Sequence, residues 1–281
     1  MSKSGKKSFQ KQKGSRKERA ARQFKNDVKR KSNGRSITLS DYIKHVREDY
    51  VNLNTTCNHN CTCCKVAMPS MNLCQFVDMV TEIWSTYTNE QKLELIFKSV
   101  EYFFRYDYTK WGMDSLIKPC MFLDENGLCK HYSKRPLNCS LYGLWPQKDY
   151  ESRVDKFAKA YEPLGLKRED LPLNTQCPNV KRVDDKVEIT SELIQSLFDK
   201  LDDMDKKMGN YTTLQIAHKE NYRTFADWLL LKVFGEDFLV KLTNFAMAAD
   251  KATMQDQIKV IREVFTKEFA KTGLPDIMKL L

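Results

Sequence analysis

Histidine, glycine and proline are all scarce in this sequence, with 4, 10 and 8 residues among 281. The few glycines form no phosphate-cradling loop, so the sequence lacks that mark of nucleotide binding. Four histidines supply few imidazoles, and no nucleophile–base pair can be named. No stretch approaches the roughly 20 apolar residues of a membrane helix. The densest apolar run, around Leu229 to Val233, is far shorter. No apolar signal region follows the polar start Met1-Ser2-Lys3, so the expectation is a cytoplasmic protein that is not secreted. Internal repeats and a strand-rich region are also missing.

What is present is a globular balance, with 41% hydrophobic and 30% charged residues, enough apolar side chains for a real core. The charge is uneven. Residues 1–35 hold 14 Lys or Arg against two acids, Glu18 and Asp27, a balance of +12. The whole chain carries +10, so the remainder sums to about −2 and the basic character belongs to the tail. With few apolar side chains beyond Phe9, Phe24 and Val28, that tail cannot offset an ordering entropy of roughly 1–2 kcal/mol per residue. It reads as disordered. Its cations suit nucleic acid or an acidic protein, through salt-dependent contacts without sequence specificity. The division expected is a basic tail over 1–36, a cysteine-bearing domain over 37–185, and a helical region over 186–281 packed on it.

Helical periodicity dominates after the tail. Ser40-Asp41 can cap a short helix carrying Tyr42, Ile43 and Val46. Ser70 is expected to open a helix with Leu73, Phe76, Val77, Val80, Ile83, Trp84 and Tyr87 on one stripe. Asn89 opens another with Leu93, Ile96, Phe97, Val100 and Phe104. Thr190-Ser191-Glu192 begins a helix carrying Leu193, Ile194, Leu197, Phe198 and Leu201. An amphipathic stretch runs from Leu214 to Phe234 and stops at Gly235. Helices are expected over 237–249 and 253–271, ended by Gly273 and Pro275. Residues 150–185 read as mixed and polar. Asn126-Gly127, set between Met121-Phe122-Leu123 and Leu128, predicts a small hairpin. The fold class is therefore mainly α, a helical body with a loop-rich, metal-binding cysteine region and a small hairpin.

Nine cysteines stand at 57, 61, 63, 64, 74, 120, 129, 139 and 177. The odd count and the vicinal Cys63-Cys64 argue against a disulfide framework and for metal ligation. Cys57, Cys61, Cys63 and Cys64 can converge without long loop closure. Thiolates are soft donors suited to zinc or an iron–sulfur cluster, and the cation offsets their mutual repulsion. The hairpin would bring Cys120 near Cys129, and Arg135-Pro136 would return the chain to Cys139. Lys130, Lys134 and Arg135 are candidates to soften the thiolate charge. Without metal, residues 55–64 and 118–140 are expected to have little packed core to hold them.

These motifs resemble the cysteine-cluster proteins known as the YkgJ-like zinc- or iron-chelating family. The resemblance rests on Cys120 with Phe122 and Leu123, Gly127 with Cys129, then Tyr132, Arg135-Pro136 and Cys139. The first knot, Cys-x-x-x-Cys-x-Cys-Cys, differs from the family's usual Cys-x-x-Cys-x-x-Cys-Cys. Cys177-Pro178 resembles a later Cys-Pro element. The resemblance spans residues 55–180 and implies metal binding by Cys57, Cys61, Cys63, Cys64, Cys120, Cys129, Cys139 and Cys177. A related cysteine motif occurs in flagellin lysine N-methylases. A cluster-dependent enzyme modifying protein lysine or nucleic acid is therefore one alternative. A nucleic-acid-binding module with a structural zinc is another.

Cys57, Cys61 and Cys64 also have the spacing of radical S-adenosylmethionine enzymes, but the following residues read as helices, where that class needs βα units. Cys74, beside Leu73 and Phe76, is expected in the core. His59 and His131 are candidate ligands or second donors. His45 and His218 read as ordinary helical residues. Asp202, Asp203 and Asp205 read as a solvated helix face.

Overall fold

The computed structural model describes residues 64–65, 68–104, 119–165, 167–170, 189–208, 223–248 and 254–277. Among them lie eight α-helices and one two-stranded sheet, a mainly α fold as the periodicity predicts. The basic tail, the short helix after Ser40, His45, His59 and His218 lie outside the described residues.

The chain enters through β1 (Ser70–Met71) and turns directly into α1 (Leu73–Thr86), followed by α2 (Asn89–Phe104). A 3-10 turn, Tyr132–Lys134, precedes the short α3 (Leu137–Ser140) and then α4 (Gln147–Tyr161). The C-terminal elements are α5 (Ser191–Met208), β2 (Arg223–Thr224), α6 (Phe225–Phe234), α7 (Glu236–Ala248) and α8 (Met254–Thr272). No helix among the described residues is long and apolar enough to cross a membrane.

Two helix starts differ from the expectation, and one pairing explains both. Ser70 does not open a helix. Ser70 and Met71 pair antiparallel with Thr224 and Arg223, and each strand feeds straight into a helix. Thr224 caps α6, its hydroxyl accepting from Asp227 N while its backbone N–H donates back to the Asp227 carboxylate, a reciprocal capping box. The stretch expected to be helical from Leu214 to Phe234 is therefore broken at Arg223–Thr224, and α6 starts at Phe225; residues 214–222 lie outside the described residues. Trp228 Nε1 donates to Met71 O at 2.9 Å and fastens α6 to the sheet.

α6 is the centre of the core. Phe225, Ala226, Trp228, Leu229, Leu230 and Leu231 are all buried, the pattern of a helix covered on every side. It packs against α2, α1 and α7. The expected stripes are buried on their partners: Phe76, Val77, Val80, Ile83 and Trp84 in α1, Ile96, Phe97 and Val100 in α2, and Ile194, Leu197 and Leu201 in α5.

α5 packs on α1 and adds to the cap at its start, where Asn72 N donates to Gln75 Oε1 at 3.4 Å. Asp205, expected on a solvated face, is buried instead. Its carboxylate accepts from Leu73 N at 2.9 Å and Cys74 N at 2.8 Å, with Asn72 Nδ2 at 3.4 Å. Asp202 accepts from Asn72 Nδ2 at 2.8 Å. A negative group at a helix start satisfies orphan N–H groups and complements the helix dipole. Of the three aspartates only Asp203 is exposed.

Candidate metal centre

The hairpin forms around a single antiparallel bridge, Leu123 with Cys129. The Asp124 carboxylate accepts from Asn126 N and Leu128 N, both at 2.8 Å, so the turn is an Asx turn built on Asp124. Gly127 sits at φ +74, a conformation that L side chains adopt at a cost of roughly 1–2 kcal/mol. Gly127→Ala should lower stability by about that amount, readable as a shifted denaturant midpoint with unchanged slope.

The hairpin brings the two cysteine groups together. Cys120 N donates to Cys64 O at 2.6 Å. At the turn, a Cβ on Gly127 would lie 3.8 Å from Lys65 Cε. Thus the end of the first group lies along both the start and the turn of the second. Cys64 and Cys120 are buried, while Cys129 and Cys139 are half-buried. Cys139 sits in α3, whose start at Pro136 follows the expected redirection of the chain. Its neighbour Asn138 donates from Nδ2 to Ser70 O at 2.7 Å, which ties α3 to β1. Cys57, Cys61, Cys63 and Cys177 lie outside the described residues. Among the described residues alone, no three His, Cys, Asp or Glu side chains are grouped to hold a metal ion.

Residues 55–178 match the model of the CxxCxxCC family, described as a "putative zinc- or iron-chelating domain". This segment is similar to that family over 124 of the 281 residues. No curated protein and no solved structure matches the chain.

The donor chemistry fits such a role. Two buried thiols whose backbones touch can be thiolates only beside a cation, because burial disfavours an isolated charge. Cys74 is different. It is fully buried in α1, with Sγ 3.8 Å from Leu201 O. Burial, reinforced by Asp205, pushes its thiol well above the ordinary range. It stays protonated, as a core cysteine would.

The matched segment also has a packed core that its sequence does not advertise. Phe122, Leu137, Leu141 and Leu144 are buried. Phe122 meets Phe225 of α6 edge-on, with ring centroids 4.8 Å apart. The expectation that residues 118–140 have little to hold them without metal is therefore wrong for the hairpin and α3.

Sequence reasoning also missed the groups on α1 that hold this segment. Lys134 Nζ lies 2.8 Å from Asp78 Oδ1 and 3.9 Å from Glu82 Oε2, so its charge is directed to α1. The Arg135 guanidinium lies 4.1 Å from the centre of the Tyr132 ring. His131 is buried, with Nε2 3.0 Å from the Tyr87 hydroxyl and Nδ1 3.5 Å from Glu82 Oε1. Burial pulls its imidazole below the ordinary value, against the pull of Glu82. The only advance signal was that Asp78 and Glu82 are four apart, and so share a helix face. Nothing local names their partners.

Proposed function

We propose that this chain is an iron–sulfur protein of a reducing compartment such as the cytoplasm, its cluster held by thiolates from both cysteine groups. The ligands are drawn from Cys57, Cys61, Cys63, Cys64, Cys120, Cys129, Cys139 and Cys177. The observation that carries the reading is the Cys120 N–H to Cys64 O hydrogen bond at 2.6 Å, which joins the two groups within the matched segment. The density of thiols and the scarcity of histidine favour soft, all-sulfur ligation. A bound cluster would supply one-electron chemistry or a Lewis-acidic iron. The chain's own part is to bury the thiolates and fix their spacing.

Anaerobic purification, then iron, sulfide and zinc analysis with an absorption spectrum, tests this. A brown sample with matching iron and sulfide is expected. A colourless sample with stoichiometric zinc replaces the cluster with a structural zinc site, and a sample with neither metal rejects both. Cys64→Ser and Cys120→Ser should each lose most of the bound metal. Cys74→Ser should keep it, since that thiol faces Leu201 in the core.

A further inference from the structure

His131 stands two residues after Cys129, yet neither of its ring nitrogens is available to a metal. A carboxylate only accepts, so the Nδ1 facing Glu82 carries the proton. The lone pair on Nε2 then receives the Tyr87 hydroxyl at 3.0 Å. Both partners belong to α1 or its C-terminal cap. The ring also meets Phe122 edge-on, with centroids 5.1 Å apart. Phe122 lies on the opposite arm of the hairpin, where its carbonyl accepts from Lys130 N at 2.9 Å. One imidazole therefore touches both arms, the arm of Cys129 through the chain and the arm of Cys120 through Phe122. One helical turn earlier on α1, Asp78 holds Lys134.

We propose that Tyr87 and Glu82 are positioning residues for the metal centre, acting through His131 to set the placement of Cys129 and Cys120. The clasp fixes the hairpin on α1 in the metal-free chain. The thiols then meet the metal already ordered, and the ordering cost of binding falls. Partners that orient metal ligands typically change affinity about 10- to 100-fold when removed. The inference rests on the metal-site reading above, and the experiment separates the two.

The full chain, reduced and metal-free under anaerobic conditions, is titrated with cobalt(II) against a competing chelator. The thiolate-to-cobalt absorption reports binding. Tyr87→Phe, His131→Ala and the double variant are compared with the wild type. Tyr87→Phe should weaken cobalt binding about tenfold, with little change in the metal-free melting temperature. In the His131→Ala background the same change should add nothing, because its only route to the cysteines is gone. If His131→Ala does not fold, His131→Gln replaces it in the cycle. Equal affinity for wild type and Tyr87→Phe, or losses that simply add, overturns the clasp. A wild-type chain that takes up neither cobalt nor zinc, and that carries no iron and sulfide when purified anaerobically, overturns the metal site itself.

Discussion

Asp205→Ala should destabilise the protein by about 4 kcal/mol, because it strands buried donors that each cost roughly 1–3 kcal/mol when unpaired. The stranded donors are Leu73 N and Cys74 N, since Asn72 Nδ2 keeps its 2.8 Å bond to Asp202. Both sit at the start of α1, where four N–H groups have no partner within the helix. For a chain of this size that loss lowers the melting temperature by roughly 10 °C. A loss below about 1 kcal/mol, the value of an ordinary exposed cap, would show that water satisfies these donors. The pH dependence adds a signed check. Burial raises the Asp205 carboxyl above its ordinary value, outweighing the hydrogen bonds that lower it. The folded chain thus holds this proton more tightly than the unfolded chain. Its contribution is larger when protonated and is lost as pH rises through the elevated value. The gap between wild type and Asp205→Ala should therefore widen as pH falls from neutrality toward the ordinary carboxylate range. Urea midpoints at a series of pH values read this directly. A gap that narrows in acid contradicts the burial.

The helical stripes were legible because they are local. Phe76, Val77, Val80, Ile83 and Trp84 recur at three and four, and all five are buried. α4 was not legible for the opposite reason. Its sequence, Gln147–Tyr161, is mostly polar. Val154 is its buried hydrophobic residue among the described positions, so no stripe announces it. Pro146 at its start is the available signal. The start of α6 was misplaced because a two-residue strand leaves no periodic trace, and its partner lies far away at Ser70–Met71. Asp205 was misread for a related reason. Three aspartates in four positions look like a solvated face, and only the docking of α5 on α1 turns one of them inward.

At the candidate metal centre, candidate ligands could be named from residue type and spacing, whereas the contacts that support them could not. Cysteines at short intervals announce themselves. Asp124 and Gly127 announce a turn. No rule of spacing connects His131 with Glu82 and Tyr87, or Asn138 with the Ser70 carbonyl. These contacts arise only once α1 is packed. They bear on the order of events. Because the hairpin and α3 bury Phe122, Leu137 and Leu141, we expect this part of the chain to be gathered before any metal binds. On the metal-site proposal, chelation would then act on a hairpin already seated, unlike small zinc modules whose folding waits for the ion.

Phe122→Ala tests that order. Truncating a buried phenylalanine costs about 3–5 kcal/mol, and Phe122 is held by Phe225 on one side and His131 on the other. The metal-free chain should lose about 4 kcal/mol on that basis. Phe76→Ala is the control. Phe76 is also buried and also packs on Phe225, at 5.2 Å, but it belongs to α1 and not to the hairpin. Its loss should be of similar size. The two variants part on adding metal. A ligand that binds only the folded state raises stability by an amount fixed by its concentration and its dissociation constant for that state. Phe76→Ala leaves the hairpin seated, so the increment on adding zinc should equal that of the wild type. Phe122→Ala removes the wall behind His131 and loosens Cys120, so its increment should shrink. Melting curves with and without zinc give both numbers from the same samples. Equal increments in the two variants would mean that the hairpin's seat on α6 stabilises the fold without shaping the metal centre.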